Sequence, residues 1–239
     1  MPITTKAIVI SSLKYGDTSL IVRAFTESDG LKSYLLKGVL SSKRGKLKAA
    51  YFLPLTHLQL VANHKNKGTL ESIREARVLY PYKTLHTDIV KNSLVLFLSE
   101  LLGSCIQEQE QDQGLFNYLE YALLWLDQND HVTNFHLLFL INLSKYLGFY
   151  PDVLNGHAPY FDLLEGEFTF SPTLNPVLEK QVLKNFKQIL GINFDALPTV
   201  KMTKAERSEL LKKVILYFEL HLHGFRKPKS LAVLKAVFD

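Results

Sequence analysis

The first eighty residues carry apolar positions at a spacing of two, and the rest of the chain does not. Lys6 to Leu13, Ser19 to Thr26, Leu31 to Lys37, Thr56 to Ala62 and Thr69 to Arg77 each show the alternation or the β-branched richness of a strand. Tyr15-Gly16-Asp17, Ser28-Asp29-Gly30 and the stretch Asn63 to Gly68 separate them, and their Gly, Asn and Asp residues tolerate the backbone of tight turns. The pattern predicts hairpins between successive strands. One connection is longer: Gly38 to Leu55 has room for a basic, small-residue loop and a short helical turn. Five short strands with a long third connection predict an OB-type barrel.

After Tyr80-Pro81 the period changes to 3.6. Val90, Leu94, Phe97, Leu98, Leu101 and Leu102 form one helical face that Thr87 or Asp88 can cap, and Leu115 to Leu126 make a second. Asn134 to Leu147 is apolar on nearly all sides and stops at Gly148, as a central bundle helix should. Asn175-Pro176 is expected to start a fourth helix ending at Gly191. Thr203 and Glu206 have capping-box spacing for a fifth. Tyr160 to Asp162 and Glu167 to Phe170, flanking Leu164-Glu165-Gly166, predict an isolated hairpin. The expected fold class is α+β: an N-terminal OB-fold barrel over residues 1–80, then a mostly α-helical domain over 81–239 with a small β-hairpin near 160–170.

Composition narrows the class. Of 239 residues, 47% are hydrophobic and 21% charged, which excludes disorder. The single cysteine, Cys105, cannot form an internal disulfide or a cysteine-rich zinc site, and no apolar run approaches a membrane span. A cytoplasmic, nucleoid-associated location is expected, since the opening residues lack the apolar core of a signal peptide. Charge is unevenly placed. Residues 1–80 hold 13 Lys/Arg against 5 Asp/Glu, residues 81–200 hold 6 against 14, and residues 201–239 hold 9 against 4. A basic first part therefore precedes an acidic middle, the distribution of a polyanion-binding module joined to something else.

Candidate chemistry follows the charge. Arg23 falls on the second predicted strand, Lys32 and Lys37 on the third, and Lys43, Arg44, Lys46 and Lys48 crowd the following loop. Four cations within six positions repel one another unless an anion is near, so this loop is expected to bind phosphates. Tyr15, Tyr34 and Tyr51 are interleaved as possible stacking rings, although rings on alternating strands more often fill a core. Arg226, Lys227 and Lys229 are the alternative nucleic-acid site. No Walker loop, Gly-x-Ser-x-Gly or His-Glu-x-x-His occurs, and neither catalysis, a cofactor nor a metal is expected. His221 and His223, two apart on a helix, point to opposite sides, and Glu108, Glu110 and Asp112 read as a solvated helix end.

The ordered set Lys6-Ala7-Ile8-Val9-Ile10, Tyr15-Gly16-Asp17, Phe25-Thr26, Asp29-Gly30, Lys37-Gly38, Leu58-Gln59-Leu60, Tyr146-Leu147-Gly148-Phe149-Tyr150-Pro151 and Lys229-Ser230-Leu231 resembles the RecO family of bacterial recombination mediators over essentially the whole chain. The resemblance implies an OB domain and a helical domain that bind single- and double-stranded DNA and anneal it. It also implies work with RecR, help in loading recombinase, and contact with the acidic C-terminal tail of single-stranded DNA-binding protein, with Lys212 and Lys213 the candidates for the rim of the cleft that takes it. Many members carry a four-cysteine zinc site after the Leu-Gly-x-x-Pro segment. Here Asp152 to Phe170 holds no cysteine, and Phe161, Leu163, Phe168 and Phe170 are expected to replace metal by apolar packing. An RNA-binding OB protein or a protein adaptor are the alternatives that the residues leave open.

Overall fold

A computed structural model of the chain describes residues 2–41, 47–65, 69–106 and 110–238. Strands β1 (Pro2–Tyr15), β2 (Ser19–Thr26), β3 (Gly30–Leu36), β4 (His57–Asn63) and β5 (Ser72–Val78) form one sheet in the order β3-β2-β1-β4-β5. Neighbours are antiparallel throughout. A parallel bridge between Tyr34 and Glu71 then joins the two edges: Leu35 N donates to Glu71 O at 3.1 Å and Glu71 N to Ser33 O at 2.8 Å. Closure removes both sheet edges, and with the 3-10 turn Ala49–Phe52 between β3 and β4 the topology is that of an OB barrel.

The long first strand serves two neighbours. Its first half pairs with β4 and its second with β2, and the register shifts between Val9 and Ser11. Such a bulge bends a strand, which a small barrel needs. Ala7, Ile8, Val9 and Ile10 are all buried because both faces of β1 are covered. Ala7 and Val9 face the barrel interior with Val22, Ala24, Tyr34, Leu58 and Leu60, whereas Ile8 and Ile10 join Phe25, Leu31 and the helices in a second, larger core.

Among the described residues six α-helices follow: α1 (Ile89–Cys105), α2 (Gln113–Gln128), α3 (Phe135–Tyr146), α4 (Lys180–Ile189), α5 (Lys204–His221) and α6 (Leu231–Phe238). Asp88 caps α1 by accepting from Lys91 N, and Asp112 caps α2 by accepting from Leu115 N. Thr203 and Glu206 complete the expected capping box on α5. α3 is buried along most of its length, and Gly148 follows it with φ +84°. The join between the barrel and the bundle is a knot of hydrogen bonds. The Asp127 carboxylate accepts from the backbone N–H groups of Lys83, Thr84 and Leu85, and buried Lys91 donates to Thr84 Oγ1 and Asp127 O. Burial would raise the Asp127 carboxyl pKa, but the N–H groups of Thr84, Lys83 and Leu85 and the Thr84 hydroxyl prevail and hold it below the usual carboxylate range.

Three expectations for the bundle need correction. The hairpin is not isolated: β6 (Tyr160–Asp162) pairs on one side with β7 (Glu167–Thr169) and on the other with β8 (Val177–Glu179). Asn175-Pro176 therefore leads into a strand, and α4 starts at Lys180. Phe161, Leu163 and Phe168 are buried as expected, but Phe170 is 58% exposed because it lies beyond the paired part of β7. Helix α6 has no counterpart in the periodicity, which is too short there to register.

Candidate nucleic-acid interface

OB barrels bind polymers on the outer face of their second and third strands. In this chain half of that face is already occupied. Side chains alternate along β2, so Arg23 and Phe25 point outward together, and Phe25 is packed against Phe116 of α2 with ring centroids 6.1 Å apart. Leu31 of β3 is in the same shared core. What stays accessible lies toward Arg23, whose Nη1 donates to Gly103 O of α1 at 3.3 Å.

Across from Arg23 runs the segment after α5. Arg226, Lys227 and Lys229 are exposed there, and hydrogen bonds to α1 fix the segment: Arg226 N donates to Ser104 Oγ at 2.7 Å, and both Ser230 N and Oγ donate to the Glu100 carboxylate at 3.0 Å. The result is a cleft of about 640 Å³ along the seam between barrel and bundle. Arg23, Arg226, Lys227 and Lys229 edge it with the Glu100 carboxylate among them, and Ser11 and Ser12 offer hydroxyl groups along it. Lys227 is also ion-paired with Glu219 at 3.0 Å. Guanidinium, ammonium and hydroxyl donors around an elongated cleft are the donor set that positions a phosphate backbone without reading its sequence.

The predicted residues divide into three groups. Arg23 lines the seam, with Tyr15 56% exposed at the β1–β2 turn just beyond Ser11 and Ser12. Lys37 is exposed in the turn after β3, and not on the strand; Lys48 is exposed beside the 3-10 turn, its Nζ 5.9 Å from the ring centroid of half-buried Tyr51. Lys43, Arg44 and Lys46 lie outside the described residues.

Two expectations are overturned. Tyr34 is fully buried, its hydroxyl hydrogen-bonded to His64 Nε2 at 2.7 Å while His64 Nδ1 meets Asp29 Oδ2 at 2.9 Å. Burial, then the Asp29 and Glu71 charges, push its phenol well above the usual range. It is a core residue, not a stacking platform. Lys32 shares the interior face of β3 with Tyr34 and Leu36 and is 7% exposed, so the period of two turns it away from any groove.

A second feature appears at the other end of the bundle. Leu211, Leu234 and Phe238 line a small apolar notch of about 20 Å³, edged by Lys204, Arg207 and Lys235. His136 of α3 lies in its wall, its ring 5.3 Å from that of Phe238, and burial followed by the Arg207 charge lowers its pKa to about 3. Lys212 and Lys213 are not on this notch; Lys212 is exposed and paired with Glu209 at 3.2 Å. Spacing of three and four along α5 from Lys204 through Arg207 to Leu211 was the signal that sequence reading passed over. Cys105 is buried and its thiol pKa is raised by burial, so it is not a reactive thiolate. Among the described residues no group of three or more His, Cys, Asp or Glu is placed to hold a metal ion, and no helix is long and apolar enough to cross a membrane.

An OB barrel fused through its polymer-binding face to a helical bundle, with cations along the seam, defines a nucleic-acid-handling class of protein. Comparison with known proteins sharpens this. Residues 1–82 match the family described as recombination protein O N terminal, and residues 86–232 match recombination protein O C terminal. The chain is 48% identical over 238 residues to the DNA repair protein RecO of Christiangramia forsetii and 47% identical over 239 residues to that of Flavobacterium psychrophilum, each match covering 100% of both chains. It is 36% identical to the DNA repair protein RecO of Bacteroides fragilis, with 98% of each chain covered. The chain belongs to the RecO family of DNA repair proteins, which are mediators and not enzymes.

Proposed function

We propose that this chain binds single- and double-stranded DNA, anneals complementary strands and, with RecR, helps load recombinase onto DNA coated by single-stranded DNA-binding protein. The cationic seam between Arg23 and the Arg226 to Lys229 segment carries this reading. Its cations release counterions from phosphates, which supplies affinity without base contacts. Strands whose charge is neutralised approach one another more easily, so annealing needs no catalytic group. Tyr15, exposed at the β1–β2 turn, is the accessible ring for an unstacked base. The notch edged by Lys204, Arg207 and Lys235 has the chemistry to take an acidic tail with an apolar end, such as that of single-stranded DNA-binding protein.

The test is a salt titration of oligonucleotide binding by fluorescence anisotropy. Replacing Arg226, Lys227 and Lys229 by Gln should flatten the slope of log K against log salt by about 2, at about 0.7 per lost phosphate contact on a single strand. Replacing Lys43, Arg44 and Lys46 in a parallel variant measures the loop expected from the sequence. An unchanged slope in the first variant with a flattened slope in the second would move the site to the loop. No affinity for DNA in the parent chain at moderate salt would leave a protein adaptor, and preference for a matched RNA would leave an RNA-binding protein.

A further inference from the structure

Of the six Lys and Arg in the acidic stretch 81–200, three stand on the single helix α4: Lys180, Lys184 and Lys187. All three line one groove of about 680 Å³, together with Tyr160, Pro159 and Leu183. The opposite face of α4 is fixed in the core, where Phe186 packs against Phe161 at a centroid distance of 4.9 Å. The helix can present its cations in one direction only. At a rise of about 1.5 Å per residue the row from Lys180 to Lys187 spans about 10 Å, the length of about three stacked nucleotides at about 3.4 Å each.

Carboxylates flank the row without filling the groove. Glu179 lines it 3.8 Å from Lys180, whose side chain is 84% exposed against 47% for Glu179. Glu206 accepts from Thr203 in the α5 cap, which chiefly holds its pKa down, and Lys184 adds to that effect. Lys187 is held in place: its Nζ donates to Ala158 O at 2.9 Å and lies 5.2 Å from the Phe168 ring centroid. Lys180 has φ +51°, a backbone region in which glycine is at ease and lysine is not, so a cation occupies a position that its backbone disfavours.

We infer that the α4 groove holds the phosphate backbone of a second nucleic-acid strand, separate from the strand in the seam. The inference rests on the DNA-binding reading above and deepens it by giving annealing its second site. A broad groove with a one-sided row of ammonium groups and a tyrosine ring suits a strand that must be held without sequence preference. An acidic peptide with an apolar end needs an enclosed apolar pocket, which this open groove does not offer.

The full chain is mixed with excess short oligothymidylate at low salt, and bound strands are counted by native mass spectrometry. Two strands per chain are expected for the parent. One strand is expected for the variant Lys180→Gln, Lys184→Gln, Lys187→Gln, whose first-strand affinity should change less than twofold and whose annealing rate should fall about tenfold. The double variant Lys180→Gln, Lys184→Gln, which keeps the Lys187 anchor, should lose the second strand with an unchanged melting curve. Two strands retained by either variant, or one strand bound by the parent, overturns the inference. No strand bound by the parent instead defeats the DNA-binding reading itself. Loss of polyglutamate binding in the variant with two strands retained would give the groove to an acidic peptide, again overturning the proposal.

Discussion

Replacing Asp162 by Asn should cost more than its near-identical shape suggests. Asp162 is 1% exposed and ties together the small sheet. One carboxylate oxygen accepts from Leu164 N at 2.8 Å and Glu165 N at 3.1 Å; the other accepts from Thr173 Oγ1 at 2.6 Å and Asn175 Nδ2 at 3.0 Å. An amide keeps one oxygen, and Thr173 can rotate its hydroxyl to accept from the new NH2. Asn175 must flip its amide to present Oδ1, because Nδ2 would set donor against donor. All four bonds lose their charge assistance, at about 0.5–1 kcal/mol each, so about 3 kcal/mol is expected. For a chain of this size that is a fall in Tm of about 6–12 °C. Circular dichroism gives the melting curve. Amide exchange at Leu163, whose N–H donates to Pro176 O at 2.9 Å, reports whether β8 detaches from β6. Burial alone would raise the Asp162 pKa, but the bonds from Thr173, Glu165, Asn175 and Leu164 prevail and lower it. Its contribution is therefore complete above the unfolded value of about 3.9 and is lost as pH falls through the lower folded value. The gap between parent and variant should stay constant from about pH 5 to 8 and close only below about pH 4. A variant that melts within 2 °C of the parent with unchanged exchange at Leu163 would refute the role given to this carboxylate.

Tyr34→Phe removes the hydroxyl from the Tyr34–His64–Asp29 relay and should destabilise the barrel by about 1–3 kcal/mol while changing oligonucleotide affinity less than twofold. A tenfold loss of affinity with unchanged melting would return Tyr34 to a stacking role. Gly166→Ala should destabilise by about 2 kcal/mol, because φ is +73° and the added Cβ would stand 2.9 Å from the Tyr217 hydroxyl, which donates to Phe149 O at 2.7 Å. Gly148→Ala is its control, with φ +84° but nothing within 4 Å of the added carbon, so only the backbone term of about 1 kcal/mol remains. Equal shifts in thermal melts of the two variants would show that the Tyr217 contact adds nothing.

The barrel was legible because its signals are local. Ser19–Thr26 alternates cleanly, and β2 has those bounds; Asp88 before the first apolar helical position and the pair Thr203 and Glu206 mark helix starts that the structure keeps. Where reading failed, the deciding contact was distant in sequence. Val177–Glu179 is only three residues long, and it is a strand because β6 lies alongside; the propensity of Asn175-Pro176 to start a helix yields to that pairing. The hold on the small sheet was half read. Its apolar residues are visible as a pattern, whereas the Asp162 carboxylate looks like any hairpin aspartate until Thr173 and Asn175 fold back onto it.

The nucleic-acid residues show the same division, with a physical consequence. Charge density is a property of neighbours in sequence, so it favours the crowded 43–48 loop and misses the pairing of Arg23 with a segment two hundred residues later. Alternation places Arg23 and Phe25 on the same outward face of β2, yet only the packed bundle shows that Phe25 is withdrawn into the shared core while Arg23 is left at the seam. Covering the apolar half of an OB face with the chain's own helices takes away stacking area that a free barrel would offer to bases. What remains along the seam is cationic and hydroxylic, and such groups act on phosphates, whose spacing is the same in every sequence. In the reading proposed here, affinity should therefore depend strongly on salt and weakly on base composition. A homopurine and a homopyrimidine strand of equal length should bind within about threefold of one another, and a difference of a hundredfold would mean that bases, and not phosphates, are being held.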